Sequence, residues 1–134
     1  MYSDKTQINI DFSIVGDFFE TDLITEKLGV IPTEILKKGE LLESRRLPNI
    51  ETVWSYQTGI RDSFDLEEQF SIIFNLFESK KDVIKDLCKQ YNLKVYLQCY
   101  ISILNDETPI IHLDNRSLNF ISEIGADIDI DISI

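Results

Sequence analysis

The chain has 134 residues, of which 43% are hydrophobic and 28% are charged, and this composition is typical of one globular domain. Its 13 basic and 24 acidic residues give a net charge of −11, so its electrostatic field repels phosphate backbones and anionic membranes. We therefore predict a single domain over residues 1–134, with no nucleic-acid partner and no membrane partner.

The start of the chain predicts a strand followed by a short helix. Residues 6–15 alternate apolar and polar side chains, which is typical of a strand with one buried face. The apolar face holds Ile8, Ile10, Phe12 and Ile14. A helix is predicted over residues 21–28, where Thr21 is a suitable N-cap and Gly29 suits the left-handed conformation that ends a helix.

Two further strands are predicted over residues 33–38 and 51–57, with a polar loop over residues 40–49 between them. In the second of these strands, Trp54 shares one face with Tyr56. Residues 59–63 contain glycine and polar residues and are expected to form a turn.

Two helices and the longest strand come next. Asp65 is expected to cap a helix whose apolar residues recur at helical spacing, and its three phenylalanines are expected to pack against the sheet. These are Phe70, Phe74 and Phe77. A second helix is predicted to begin at Lys80. Residues 93–104 predict a strand that lies centrally in the sheet, because both of its faces carry apolar residues.

The end of the chain predicts a short strand over residues 109–113, a helix capped by Asp114 and closed by Gly125, and a final alternating strand. The resulting order, β-α-β-β-α-α-β-β-α-β, mixes helices and strands without regular alternation. We therefore predict an α+β fold, with a single mixed, largely antiparallel sheet and helices packed on one face.

The two cysteines favour a reducing compartment. Cys88 falls in a helical pattern and Cys99 in a strand pattern, and neither belongs to a Cys-x-x-Cys motif. We interpret both as reduced, small core residues. The first residues resemble no secretory signal, and no apolar run approaches the roughly 18 residues that span a bilayer. These features predict a cytoplasmic protein.

The sequence contains few residues that are suited to catalysis or metal binding. The single histidine, His112, lies in a short apolar run, where we expect it to be partly buried and hydrogen-bonded rather than catalytic. One histidine and two separated cysteines do not supply the common zinc ligand sets. Phosphate-binding and nucleophile-elbow motifs are absent from the sequence. We therefore expect no metal and no cofactor, and we favour a protein that is not an enzyme.

Three aspartates near the end of the chain are the most conspicuous charged feature. Asp127, Asp129 and Asp131 fall on one face of the final strand, with neighbours roughly 6–7 Å apart, which is too far for one ion to bind all three. Residues 101–134 carry seven acidic residues and one basic residue, or −6 of the net −11. The three carboxylates form either a solvated sheet face or a surface that recognises a basic partner.

A second candidate site is basic. Lys38, Arg45 and Arg46 lie in the second strand and the loop after it, and Trp54 lies in the next strand. Together they would line a small anion-binding pocket, which a ligand-binding domain or an enzyme would use. The competing interpretation is that the arginines are solvated or salt-bridged at the surface and that Trp54 belongs to the core.

Several segments of the sequence resemble a known family. They are residues 24–33 (Ile-Thr-Glu-Lys-Leu-Gly-Val-Ile-Pro-Thr), residues 38–40 followed by Trp54, and Gly125 leading into residues 126–130. Together they resemble a bacterial family called domain of unknown function 4279, over nearly the whole chain. The resemblance implies a stand-alone bacterial α+β domain and supplies no catalytic residue.

We hypothesise a non-catalytic binding protein, immunity-like or regulatory, that masks a basic protein partner such as a nuclease toxin, because an acidic surface accelerates association with a cationic protein. One alternative is a small-ligand or anion-binding domain, or an enzyme, that uses the Lys38, Arg45, Arg46 and Trp54 region. Another is an oligomer joined through an edge strand such as the final one.

Overall fold

Residues 5–40 and 49–134, which the computed structural model describes, form one mixed sheet of six strands. The strands are β1 (Gln7–Gly16), β2 (Glu34–Leu36), β3 (Thr52–Gln57), β4 (Arg61–Asp62), β5 (Lys94–Ser102) and β6 (Asp127–Ser133). Five of them lie in the order β2-β3-β1-β5-β6, and β4 pairs with the start of β1. The β5–β6 pair is parallel and the other pairs are antiparallel. The predicted α+β class with a mixed, largely antiparallel sheet is confirmed.

Four helices cover one face of this sheet in the described part of the chain. They are α1 (Thr21–Leu28), α2 (Leu66–Phe77), α3 (Lys81–Tyr91) and α4 (Asn115–Glu123), and a short 3-10 turn (Glu78–Lys80) joins α2 to α3. Within the described residues, no helix combines the length and the apolar character that crossing a bilayer requires.

Strand β1 lies at the centre of the sheet, and its alternating residues give it one covered face and one open face. The four apolar residues of the covered face are fully buried: Ile8, Ile10, Phe12 and Ile14. The polar residues between them are half-buried. Strand β5 repeats the pattern, with buried residues alternating with exposed or half-buried ones. One side of the sheet therefore packs under the helices, and the other faces solvent.

Most of the residues predicted to cap the helices do so, and Thr21 is the exception. The carboxylate of Asp65 accepts a hydrogen bond from the Glu67 backbone N–H at 3.0 Å, and Asp114 caps α4 in the same way. Gly29 ends α1 in the left-handed conformation, with φ at 68°. Thr21 is not the N-cap that the sequence predicts. It is the first helical residue, and Glu20 is the N-cap without a side-chain capping bond.

Aromatic side chains join α2 to the sheet. Phe77 stacks on Phe12 of β1, with the ring centroids 4.1 Å apart, and Trp54 meets Phe12 edge-on at 6.4 Å. Phe70 and Phe77 are fully buried, as expected. Phe74 differs from the prediction, because it is half-buried and its ring lies 5.6 Å from that of Phe120 on α4. At 3.6 residues per turn, Phe74 falls at the border of the buried stripe and faces the neighbouring helix.

Both cysteines are free thiols. Cys99 is fully buried on the helix side of β5, and burial raises the pKa of its thiol to about 12. Cys88 is half-buried on α3, and burial raises the pKa of this thiol as well. Cys99 therefore acts as a small core residue, as predicted, and both thiols are poor nucleophiles at neutral pH.

Helix α4 connects β5 to its parallel neighbour β6. Its buried residues pack toward the core, and Gly125, with φ at 67°, turns the chain from the helix into β6. Strand β5 is interior, as predicted, because it lies between β1 and β6. Among the described strands, β6 pairs with β5 alone and is an edge of the sheet.

The order of elements differs from the prediction at two places. Residues 109–113 form no strand. Ile110 makes only an isolated bridge to Asp65, and Pro109 lacks the N–H that a ladder would use. Residues 59–63, expected to be a turn, contain β4, which pairs antiparallel with Gln7 and Ile8 of β1. Strand β4 forms through pairing with distant residues of β1, which local composition does not specify.

Candidate functional site

The open face of the sheet, defined as the face opposite the helices, brings polar side chains from several strands together. The register aligns Asp11 of β1 with Gln98 of β5, and Gln98 in turn with Asp129 of β6. On the other side of β1, Asp11 is aligned with Gln57 of β3, whose Nε2 donates a hydrogen bond to Asp11 Oδ2 at 3.3 Å. The open face is therefore one continuous surface across four strands.

The final strand contributes three carboxylates to the edge of this face. Asp127, Asp129 and Asp131, here called the acidic strip, are all exposed. Strict alternation along β6 directs their side chains to the open face, as the sequence predicts. Their neighbours in register on β5 include two exposed tyrosines, Tyr96 and Tyr100. The strip thus lies beside aromatic side chains at the edge of the molecule.

The acidic strip has no cationic partner among residues 5–40 and 49–134. The ion pairs found there join Lys38 to Asp17, and Lys81 to Glu78 and Glu123. The strip is therefore exposed without a salt bridge to the neighbouring strand β5.

Tyr100 and Asp11 on the open face both have raised pKa values, and nearby carboxylates contribute to each shift. Partial burial, followed by the charges of Asp11 and Asp131, raises the pKa of the Tyr100 phenol. Burial also raises the pKa of the Asp11 carboxyl. A hydrogen bond from Ser13 lowers this pKa, and the nearby charge of Glu34 raises it further. Both groups resist ionisation partly because other carboxylates lie near them. The negative potential therefore extends inward from the strip.

Sequence reasoning identified the strip but missed the residues that extend it across the sheet. Asp11 and Glu34 add carboxylates to the open face, and the charges of Asp11 and Asp131 both act on Tyr100. Alternation places each of these residues on the polar face of its own strand. The signal that was lacking is the strand order, which makes β5 the neighbour of both β1 and β6.

The predicted basic site is divided between a cleft and the core. Lys38 lines a cleft of about 470 Å³ beside the start of α1, and its Nζ lies 2.5 Å from Asp17 Oδ1 and 4.9 Å from the centroid of the Phe18 ring. Lys37 also lines the cleft, together with three acidic residues. These are Glu20, Asp22 and Glu40. The described cleft wall is therefore mixed in charge, and Lys38 is already paired.

Trp54 lies apart from this cleft. Its side chain is fully buried, and its indole Nε1 donates a hydrogen bond to Thr25 Oγ1 at 3.0 Å. This agrees with the interpretation of Trp54 as a core residue, since buried indoles find a partner for the N–H group. Arg45 and Arg46 lie outside the described residues.

Metal-ligating side chains are dispersed in the described part of the chain. There, no group of three or more histidine, cysteine, aspartate or glutamate side chains is arranged to hold a metal ion. His112 is exposed, which corrects the expectation of a partly buried histidine. The reason is that residues 109–113 do not join the sheet, so Ile111 and His112 lie on the surface.

Comparison with known proteins supports the resemblance noted in the sequence. No curated protein and no solved structure matches the chain significantly. A family model matches residues 6–134, a range that includes all the helices and strands described above. The chain therefore belongs to the family described as domain of unknown function (DUF4279).

Proposed function

We propose that the protein acts by binding, and that the acidic strip with the adjoining open face recognises a basic protein partner. The observation that carries this proposal is the exposure of three aspartates in a row without an ion pair to any described residue. Carboxylates that form no ion pair remain available to the field that an approaching protein meets.

The chemistry of the surface suits a protein that masks its partner. Complementary charge raises the rate of encounter between two proteins, and the net charge of −11 adds to the local effect of the strip. Tyr96 and Tyr100, which are 38% and 45% exposed, supply aromatic contact area beside the carboxylates. An immunity-like or regulatory protein would use this combination of fast association and aromatic contacts.

The test compares two triple variants that have equal net charge. Asp127→Asn, Asp129→Asn and Asp131→Asn together remove the charge of the strip. Glu26→Gln, Glu68→Gln and Asp86→Asn together remove three exposed carboxylates from the helices. Each variant changes the formal charge from −11 by three units to −8. A difference between them therefore reports position on the surface and not total charge.

Lysozyme, a small basic protein, serves as the probe in stopped-flow association experiments at low and at physiological salt. We expect the strip variant to slow association about tenfold at low salt, and the helix variant to slow it much less. Salt at about 0.15 M shortens the Debye length to roughly 8 Å and should reduce the difference. Equal slowing by both variants would contradict the proposal, because total charge alone would then explain the attraction.

The cleft carries a second candidate function, binding of a small anionic ligand whose charged group displaces Asp17 from Lys38. Its volume of about 470 Å³ lies in the range of small-molecule sites, and aromatic rings line it together with the two lysines. The probe is 8-anilinonaphthalene-1-sulfonate, which combines an aromatic body with an anionic group. Lys38→Met should weaken its binding several-fold, whereas Lys27→Met, outside the cleft wall, should not. A wild-type protein that leaves the probe non-fluorescent would eliminate this candidate.

A further inference from the structure

We infer that the outer edge of β6 accepts an extended segment of the partner as an added strand, and that this segment alternates basic with apolar residues. The inference rests on the proposed function, because it specifies which part of a basic partner the acidic strip recognises. It also adds a distinct element, since strand addition depends on backbone hydrogen bonds and not on charge alone.

The backbone of β6 is paired on one side only within the described residues. Ser133 is aligned with Ser102 of β5, and its carbonyl accepts a hydrogen bond from the Ile103 N–H at 2.9 Å. Backbone groups of successive residues point to opposite sides of a strand, so those of Ile130 and Ile132 point away from β5. No described strand pairs with that side. The outer edge therefore presents free donors and acceptors to an incoming strand.

The side chains along this edge form two rows of opposite character. The acidic strip forms one row on the open face. Ile130 and Ile132 form the other row, on the helix side, and they are 42% and 46% exposed because β6 lies at the border of the helix layer. Edge strands are commonly protected by charged side chains, proline or a bulge. Strand β6 has no proline, its register with β5 is continuous over all seven residues, and its only charges are the three aspartates, which repel an acidic strand and attract a basic one.

Charge complementarity identifies the occupant of the edge. Side chains on paired strands lie directly opposite one another on the same face, so basic residues suit the positions facing the strip and apolar residues suit those facing the isoleucines. Antiparallel pairing with β6 of a second copy would place aspartates opposite aspartates, which is destabilising. The edge is therefore suited to a basic and apolar segment of another protein, and it disfavours antiparallel pairing with a second copy.

The probe for this inference is the blocked, dye-labelled peptide Lys-Ile-Lys-Ile-Lys-Ile-Lys. Two control peptides have the same sequence and charge, one with N-methylated isoleucines and the other with N-methylated lysines. If the peptide runs antiparallel to β6, its isoleucine N–H groups face β6, and if it runs parallel, its lysine N–H groups do. Each control peptide therefore lacks the N–H groups that one of the two orientations uses. We expect one control peptide to bind at least about tenfold more weakly than the parent, because it loses several backbone hydrogen bonds.

Two variants of the protein test the same hydrogen bonds from the other side. Ile130→Pro removes an outward N–H, which an edge strand tolerates, whereas Ile130→Ala shortens the side chain and retains the N–H. We expect Ile130→Pro to weaken binding of the parent peptide about tenfold relative to Ile130→Ala. Circular dichroism checks that both variants are folded. If the proline variant unfolds, the methylated peptides still decide the question.

The outcomes separate this inference from the proposed function. If all three peptides bind equally and the triple strip variant weakens each of them, the acidic surface is confirmed and strand addition is wrong. If the strip variant binds the peptides as tightly as the wild type, the proposed function fails. Absence of peptide binding overturns strand addition, and the lysozyme experiment then judges the proposed function alone. A dimer in analytical ultracentrifugation that Ile130→Pro converts to monomers would assign the edge to a second copy and overturn the inference.

Discussion

The neighbouring strands β5 and β6 share the same alternation of side chains but differ in what covers them. On the helix side of β5, Cys99 and Ile101 are 0% and 1% exposed. Their partners in register on β6, Ile130 and Ile132, are 42% and 46% exposed. Alternation therefore determines the two faces of a strand, whereas its place in the sheet determines how much of the apolar face is covered. That difference makes β5 part of the core and β6 a candidate binding edge.

The largest expected effect comes from truncating the paired isoleucines. Ile101→Ala should cost about 2–5 kcal/mol of unfolding free energy, because it opens a cavity beneath the helices. Ile132→Ala, at the position directly beside it in the sheet, should cost less than about 1 kcal/mol because the side chain is half exposed. Urea denaturation of both variants measures the difference. Equal losses would mean that β6 is covered as fully as β5.

Alkaline pH tests the burial of β5 through Cys99. Burial raises the pKa of this thiol to about 12 from its ordinary 9.0, so between these values the unfolded chain loses a proton that the folded chain keeps. The unfolded state then binds fewer protons, and stability falls as pH rises, by up to about 1.4 kcal/mol per pH unit. The urea midpoint of the wild type should therefore fall more steeply above about pH 9 than that of Cys99→Ala. Identical slopes would show that the thiol is accessible to water.

The smallest expected effect on stability is that of the triple Asn variant of the strip. Exposed charges without ion pairs contribute little to folding, so the free energy of unfolding should change by no more than about 1 kcal/mol. Removal of repulsion along one strand favours a slight gain. Thermal or urea denaturation provides the measurement, with the helix variant as control. A loss of several kcal/mol would identify the strip as a structural element and remove the basis for a binding role.

The sequence allowed the strands, the helix caps and the sheet class to be predicted, because periodicity and capping chemistry act over short distances. Asp65, Gly29 and the alternating residues of β1 are examples. The set of residues that forms the candidate surface could be predicted only in part. Tyr100 and Asp11 join the strip only because β5 pairs with both β1 and β6, and such long-range pairing leaves no mark in local spacing.

The predicted basic pocket shows the same limit. Lys38 and Trp54 lie in neighbouring strand regions of the sequence, but Trp54 faces the helices and Lys38 pairs with Asp17 at the cleft. Alternation alone predicted that Trp54 and Tyr56 share a face. Whether that face was the core or a ligand pocket depended on where the helices pack, and the aromatic contacts with Phe12 and Phe77 decide it.

Amide hydrogen exchange of β6 tests the binding edge most directly. In the free protein, the amides of Ile130 and Ile132 should exchange quickly, whereas those of Asp129 and Asp131, which point toward β5, should be protected. A saturating concentration of the Lys-Ile peptide should slow exchange at Ile130 and Ile132 at least about tenfold and leave the two aspartate amides nearly unchanged. Unchanged exchange at the isoleucine amides, with peptide bound, would contradict strand addition at this edge.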